Sequence, residues 1–219
     1  MASGMRVRSK EELVDRLSEM SQPRKRELIT LDQFVKHGRE HEREIARRSA
    51  IVFSYAHWEG FVKDAAIAYV EYVAFRSPLF GTLTANFQAI VCRTYLTIAS
   101  QATRRITPHL NVVHQFTNYH MSNVRIDSKA AIDTESNLNA EVFENICQTL
   151  GIDYSAHWSK YGHFIDDLVE QRCAIAHGEL LRPQENYVQE VLDFVLQAIS
   201  WFTTDVENAV LMNAYLRQP

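Results

Sequence analysis

Residues 40–76 read EHEREIARRSAIVFSYAHWEGFVKDAAIAYVEYVAFR, with no proline and a single glycine, Gly60. Ile45, Val52, Tyr55, Trp58, Phe61, Val62, Ile67, Tyr69, Val70 and Val73 supply a broad apolar surface at helical intervals. The stretch ends at Ser77-Pro78, where the proline disfavours helical backbone in the residue before it. This predicts one long helix. The rest of the chain agrees, with only 7 Gly and 5 Pro among 219 residues. So few breakers favour long helices over a turn-rich β fold.

Working outward, Ser9-Lys10-Glu11-Glu12 has the spacing of a capping box, and Leu13, Leu17 and Met20 follow at helical intervals. Pro23 suits a helix start, with Leu28, Leu31, Phe34 and Val35 as its stripe. Beyond the long helix, a helix is predicted over about 84–105, broken at Thr107-Pro108, then a short one over 110–119. Asn139 reads as the N-cap of a helix through Leu150, with Gly151 just past its end. A further helix runs from about Trp158 to His177 and is closed by Gly178, and Pro183 opens a last long helix reaching about Tyr215. No segment reads as a strand. The expectation is an all-α, single-domain helical bundle with long first and last helices: N-terminal helices over 1–39 and the main bundle over 40–219.

Several functions are excluded or disfavoured at this level. Neither GxGxxG nor GxxxxGK[ST] occurs, so no Gly-rich phosphate loop is present. No run of about 18 apolar residues suggests a membrane span, and residues 1–10 lack the apolar core of a signal peptide. Cys92, Cys147 and Cys173 are odd in number and widely spaced, as in reduced thiols of a cytoplasmic protein. The net charge of −4 is a near-cancellation. Residues 93–129 carry 5 basic against 1 acidic side chain, and residues 130–219 carry 4 against 14. An acidic whole therefore leaves room for a local polyanion site.

The functional signal is Leu168-Val169-Glu170-Gln171-Arg172-Cys173-Ala174-Ile175-Ala176-His177-Gly178-Glu179, an R-x4-H pattern at a predicted helix end. Its setting, late in an all-α chain and before one last long helix, resembles the HEPN superfamily, whose ribonuclease members carry R-x4-6-H there. Tyr55-Ala56-His57-Trp58-Glu59-Gly60-Phe61-Val62-Lys63 is similar to the first long helix of the MAE-type standalone prokaryotic HEPN proteins. Glu135-Ser136-Asn137-Leu138-Asn139, followed by Leu150-Gly151-Ile152-Asp153, is similar to the same subgroup. The resemblance implies a HEPN-like bundle over 40–219, metal-independent endoribonuclease activity without cofactors, and a homodimer with the motifs of both copies at its interface. It further implies a toxin or antiviral-defence setting, with an antitoxin or defence-system protein as a possible partner. One departure stands out: the family usually has a polar residue, often Asn, after the Arg, and here that position is Cys173.

The residue types suit the chemistry. RNA carries its own nucleophile, the 2′-OH, so the protein must move protons and stabilise phosphoryl charge. His177 suits proton transfer near neutral pH. Arg172 offers a permanently charged fork of donors to phosphoryl oxygens. Five residues on an ideal helix leave the two side chains ~140° apart. They must therefore converge at a frayed end, which Gly178 permits, or face a cleft made with a second copy.

Supporting residues are Cys173, Glu179, Glu59, Lys63 and His57; candidate RNA contacts are Arg104, Arg105, Arg125 and Lys129, with Arg93 and rings such as Tyr95, His109, His114, Tyr119 and His120 interleaved. Plainer readings stand beside each. Arg172 and His177 also suit a helix-end dipole contact, Glu59 and Lys63 an i, i+4 salt bridge, and the basic stretch a solvated face. His37 and His41 have metal-binding spacing on a helix, but nothing nearby completes a site. The competing function is a non-catalytic HEPN module that binds RNA, a nucleotide or a partner protein.

Overall fold

A computed structural model describes residues 7–102, 104–117 and 120–218. Helix α1 spans Lys10–His37 and α2 spans Glu40–Arg76. They are followed by α3 (Ala85–Gln101), α4 (Ile106–Thr117), the short α5 (Ser128–Ala131) and α6 (Ala140–Leu150). The one-turn α7 (Tyr154–His157), α8 (Gly162–Ala176) and α9 (Glu185–Leu211) complete the chain. Among the described residues no strand forms; two isolated bridges, Leu79 with Asn123 and Leu83 with Leu216, tie loops together. None of the described helices is long and apolar enough to cross a membrane.

The long helix predicted from residues 40–76 is α2, and it is the spine of the bundle. Trp58, Phe61, Val62, Tyr69 and Val73 on it are fully buried. The α1 and α9 helices pack along it, and α6 and α8 cover its remaining side. Helix α9 runs parallel to α2: Glu185 meets Arg43 and Arg47 at one end, and Tyr215 meets Tyr72 at the other. Helix α8 runs antiparallel to both, since Phe164 packs on Phe194 while the later Asp167 meets Tyr187. At the centre, Phe143 lies 5.0 Å from Trp58 and 4.8 Å from Trp158 in edge-to-face contact, and Trp158 Nε1 donates to Asp205 at 2.8 Å.

Local signals explain most helix ends. Ser9 Oγ accepts from Glu12 N at 3.1 Å, but the Glu12 carboxylate reaches Arg8 N at 2.7 Å rather than closing the box on Ser9. Asn139 Oδ1 accepts from Val142 N at 2.8 Å, and Gly151 at φ 74 ends α6. Three expectations are corrected. Pro23 does not start a helix; α1 runs through it. The Arg24 guanidinium donates to Met20 O at 2.8 Å and the Ser21 hydroxyl to Ser18 O at 3.1 Å, so carbonyls around the proline are capped by side chains. Nor is it Thr107-Pro108 that ends the preceding helix: α3 stops at Gln101, and Pro108 sits in the first turn of α4, where its missing N–H is no loss. The first turn of the stretch expected as helix from Trp158 is 3₁₀, Trp158–Tyr161, before α8 begins at Gly162.

Candidate active site

Arg172 lies on α8 where that helix crosses α2. Its Cζ stands 4.0 Å from the centroid of the Tyr55 ring, and its Nη2 donates to Asn137 Oδ1 at 2.5 Å. The Cys173 thiol approaches the same oxygen at 3.7 Å. Tyr55 OH accepts from Leu138 N at 2.6 Å, so α2 also anchors the loop that carries Asn137. Burial raises the Tyr55 pKa, which keeps the phenol a neutral acceptor. The three sequence blocks are thus brought to one place: Tyr55 from α2, Asn137 and Leu138 from the loop before α6, Arg172 and Cys173 from α8.

The loop itself is unusual. Glu135 and Ser136 both have left-handed backbone, at φ 51 and φ 64, without being glycine. Asp133 Oδ1 accepts from Glu135 N, Thr134 O from Asn137 N, and Asp166 Oδ1 from Ala140 N. These bonds hold a conformation that its residues would otherwise resist. Sequence reasoning does not mark Tyr55 or Asn137 as site residues; each stands inside a block, and only the fold shows that both meet Arg172.

His177 is placed differently. Helix α8 ends at Ala176, Gly178 follows at φ 89, and the end is closed by Gly178 N to Ile175 O and Glu179 N to Ala174 O, both 3.0 Å. That is a Schellman ending, which only a residue free to adopt left-handed backbone permits without strain. It leaves His177 and Glu179 exposed to solvent. Within one chain, no hydrogen bond joins Arg172 to His177 among the described residues. The Arg172 guanidinium is turned to Tyr55 and Asn137, and His177 stands past the helix end.

The sequence profile of the RiboL-PSP-HEPN family matches residues 19–208. The chain belongs to this family. No curated protein and no solved structure matches it. The HEPN match begins inside α1, so the family's domain takes in part of the N-terminal helix as well as the bundle after residue 40.

The other candidate residues of this HEPN chain separate into distinct places. Glu59 is half-buried one turn after Tyr55, and its charge raises the Tyr55 pKa further, though less than burial does. Lys63 is exposed, and no ion pair links it to Glu59 among the described residues. His57 faces α1 instead, with Nε2 3.2 Å from Glu27 Oε2. Burial lowers its pKa, with Glu27 opposing and Arg24 adding to the effect. His37 and His41 fall on different helices, parted at Gly38-Arg39, so the single-helix spacing their sequence positions suggest does not exist.

Among the basic residues, Arg125 and Lys129 are exposed and line a cavity of about 620 Å³ with Glu71 and Phe75. Arg125 also lines a neighbouring cavity with Arg93, Tyr95 and Ile98. Arg93 is committed in part to structure, donating to Ala130 O and Ala131 O at 3.1 Å. Arg104 and Arg105 are exposed on the connection between α3 and α4. His120 packs its ring over Gly81, where a Cβ would come within 2.2 Å of it. Tyr119 lies outside the described residues.

Proposed function

We propose that this HEPN protein is a metal-independent endoribonuclease that works as a homodimer, in the manner of a toxin or antiviral-defence effector. The observation that carries the reading is the Arg172 guanidinium, pinned between the Tyr55 ring and Asn137 at the meeting point of the three sequence blocks. A long, rotamer-rich side chain held this way gives up conformational entropy in advance, as a group that must meet a phosphoryl oxygen in one geometry should.

The reaction is a transesterification. The 2′ oxygen attacks phosphorus and the bond from phosphorus to the 5′ oxygen breaks. The 2′ proton passes to a neutral His177 imidazole, and a protonated His177 returns a proton to the leaving 5′ oxygen. Arg172 stabilises the charge that gathers on the non-bridging oxygens. Because the two side chains diverge within one chain, a dimer that sets two α8 ends face to face supplies both the base and the acid. The products are a 2′,3′-cyclic phosphate and a 5′-OH. Exposed Arg125 and Lys129 would hold the strand's phosphates, and Tyr95 beside them offers a ring for stacking.

The second reading is a module that binds RNA, a nucleotide or a partner protein without turnover. It is favoured by Cys173 in the motif and by the separation of Arg172 from His177. Incubating single-stranded RNAs with purified protein in EDTA separates the two. Cleavage that falls at least about a hundredfold in Arg172→Ala and His177→Ala supports the nuclease. Binding without cleavage across diverse RNAs supports the module.

A further inference from the structure

We infer that Asn137 is the positioning residue for Arg172, and that its neutrality is the point of its use. The inference rests on the reading of Arg172 as the phosphoryl-binding group. Asn137 Oδ1 faces two donors, Arg172 Nη2 at 2.5 Å and the Cys173 thiol at 3.7 Å. Arg172 can only donate, so the oxygen rather than the amide nitrogen must face it. The Tyr55 ring lies against the guanidinium at 4.0 Å from its Cζ. Ring and amide together restrict both the tilt and the rotation of the fork.

The same tyrosine fixes the amide. Tyr55 OH accepts from the N–H of Leu138, the residue after Asn137, at 2.6 Å, and the loop is tied at Thr134 and Asp166 besides. Left-handed Glu135 and Ser136 deliver Asn137 to this spot. The Cys173 side chain, next to the arginine, reaches the amide through a long thiol contact. The strong polar contact to Arg172 therefore comes from across the fold.

A carboxylate here would grip the guanidinium harder, as a charge-assisted pair does. It would also cancel the charge that a phosphoryl group needs. A neutral carbonyl oxygen orients the fork and leaves the positive charge for the substrate. Arg172 Nε is itself buried without a partner among the described residues, so it adds no second anchor there.

The test combines side-chain NMR of the arginines with cleavage kinetics on wild type, Asn137→Ala, Asn137→Asp, Arg172→Ala and Asn137→Ala/Arg172→Ala. The wild type should show restricted rotation of the Arg172 guanidinium. Asn137→Ala should release it and lower kcat by about ten- to a hundredfold, the scale of a misplaced catalytic group. Asn137→Asp should keep it ordered yet raise KM at least about tenfold. The double variant should cleave no more slowly than Arg172→Ala alone, since a residue acting through another adds nothing once that residue is gone.

Unchanged Arg172 rotation in Asn137→Ala, or a double variant slower than Arg172→Ala, overturns the positioning role. Asn137→Asp with wild-type KM overturns the argument from neutrality. If Arg172→Ala cleaves like wild type, the reading of Arg172 fails instead, whatever the NMR shows. If no variant cleaves, the rotation data still decide whether Asn137 holds Arg172.

Discussion

Gly178 adopts φ 89, and nothing stands within 4 Å of where a Cβ would be, so the only objection to a side chain there is backbone strain. That strain is roughly 1–2 kcal/mol for an L-residue. Gly178→Ala should therefore lower the melting temperature by a few degrees and disturb the helix end that presents His177. A thermal melt read together with cleavage rate checks this; an unaltered melt would mean that the end relaxes freely. His57 carries a pH prediction. Its folded pKa is depressed by burial, so the unfolded chain takes up the proton more readily than the fold does. Stability is then complete above the ordinary histidine range near 6.5 and falls as pH drops through that range towards the lower folded value. Urea midpoints of wild type and His57→Gln should diverge between about pH 7.5 and pH 5, with the wild type losing more; parallel curves would remove His57 from the account. Sequence alone reaches this scale unevenly. Arg172 and His177 stand out as candidates because both belong to one short pattern at a single helix end. The Asn137 contact spans 35 residues and the Tyr55 contact to Leu138 spans 83, and no local periodicity reports such distances.

Helix α2 is readable from its own residues because its apolar surface is broad and its end is marked by Ser77-Pro78. The limits at Asn139 and Gly151 are readable for a similar reason: a cap is local chemistry. Pro23 misleads because its local preference for a helix start is overridden by burial of Leu17 and Leu28 on either side, which ties both halves of α1 to the bundle. An interior proline costs about 3 kcal/mol in a helix, part of it offset here by Arg24 and Ser21. Pro23→Ala should thus stabilise the protein, measured as a higher denaturant midpoint; a lower midpoint would show that the proline ring itself is needed for packing. Trp58 stands at the opposite pole. It is fully buried on α2 among Phe143, Trp158, Phe194 and Phe202. Trp58→Ala should cost about 3–5 kcal/mol and leave little folded protein at about 37 °C, which circular dichroism would report.

For the whole molecule, the placement of charge matters more than its total. The acidic total conceals exposed cations beside Tyr95, and RNA affinity should depend on salt through them. For single strands the logarithmic slope changes by about 0.7 for each phosphate that the protein ceases to neutralise. Arg125→Ala with Lys129→Ala should flatten it by roughly that much per residue, as titrations at several salt concentrations would read; an unchanged slope would move the RNA path elsewhere. Within one chain α8 points Arg172 inward to Tyr55 and leaves His177 beyond the helix end, which is why the proposed reaction calls for a second copy. The most direct measurement is the chemistry of the cut ends after digestion of a defined single-stranded RNA in EDTA. A 2′,3′-cyclic phosphate and a 5′-OH, formed by wild type and abolished in Arg172→Ala and His177→Ala, are the predicted result. Ends bearing a 5′-phosphate, or cleavage undiminished in both variants, would contradict it.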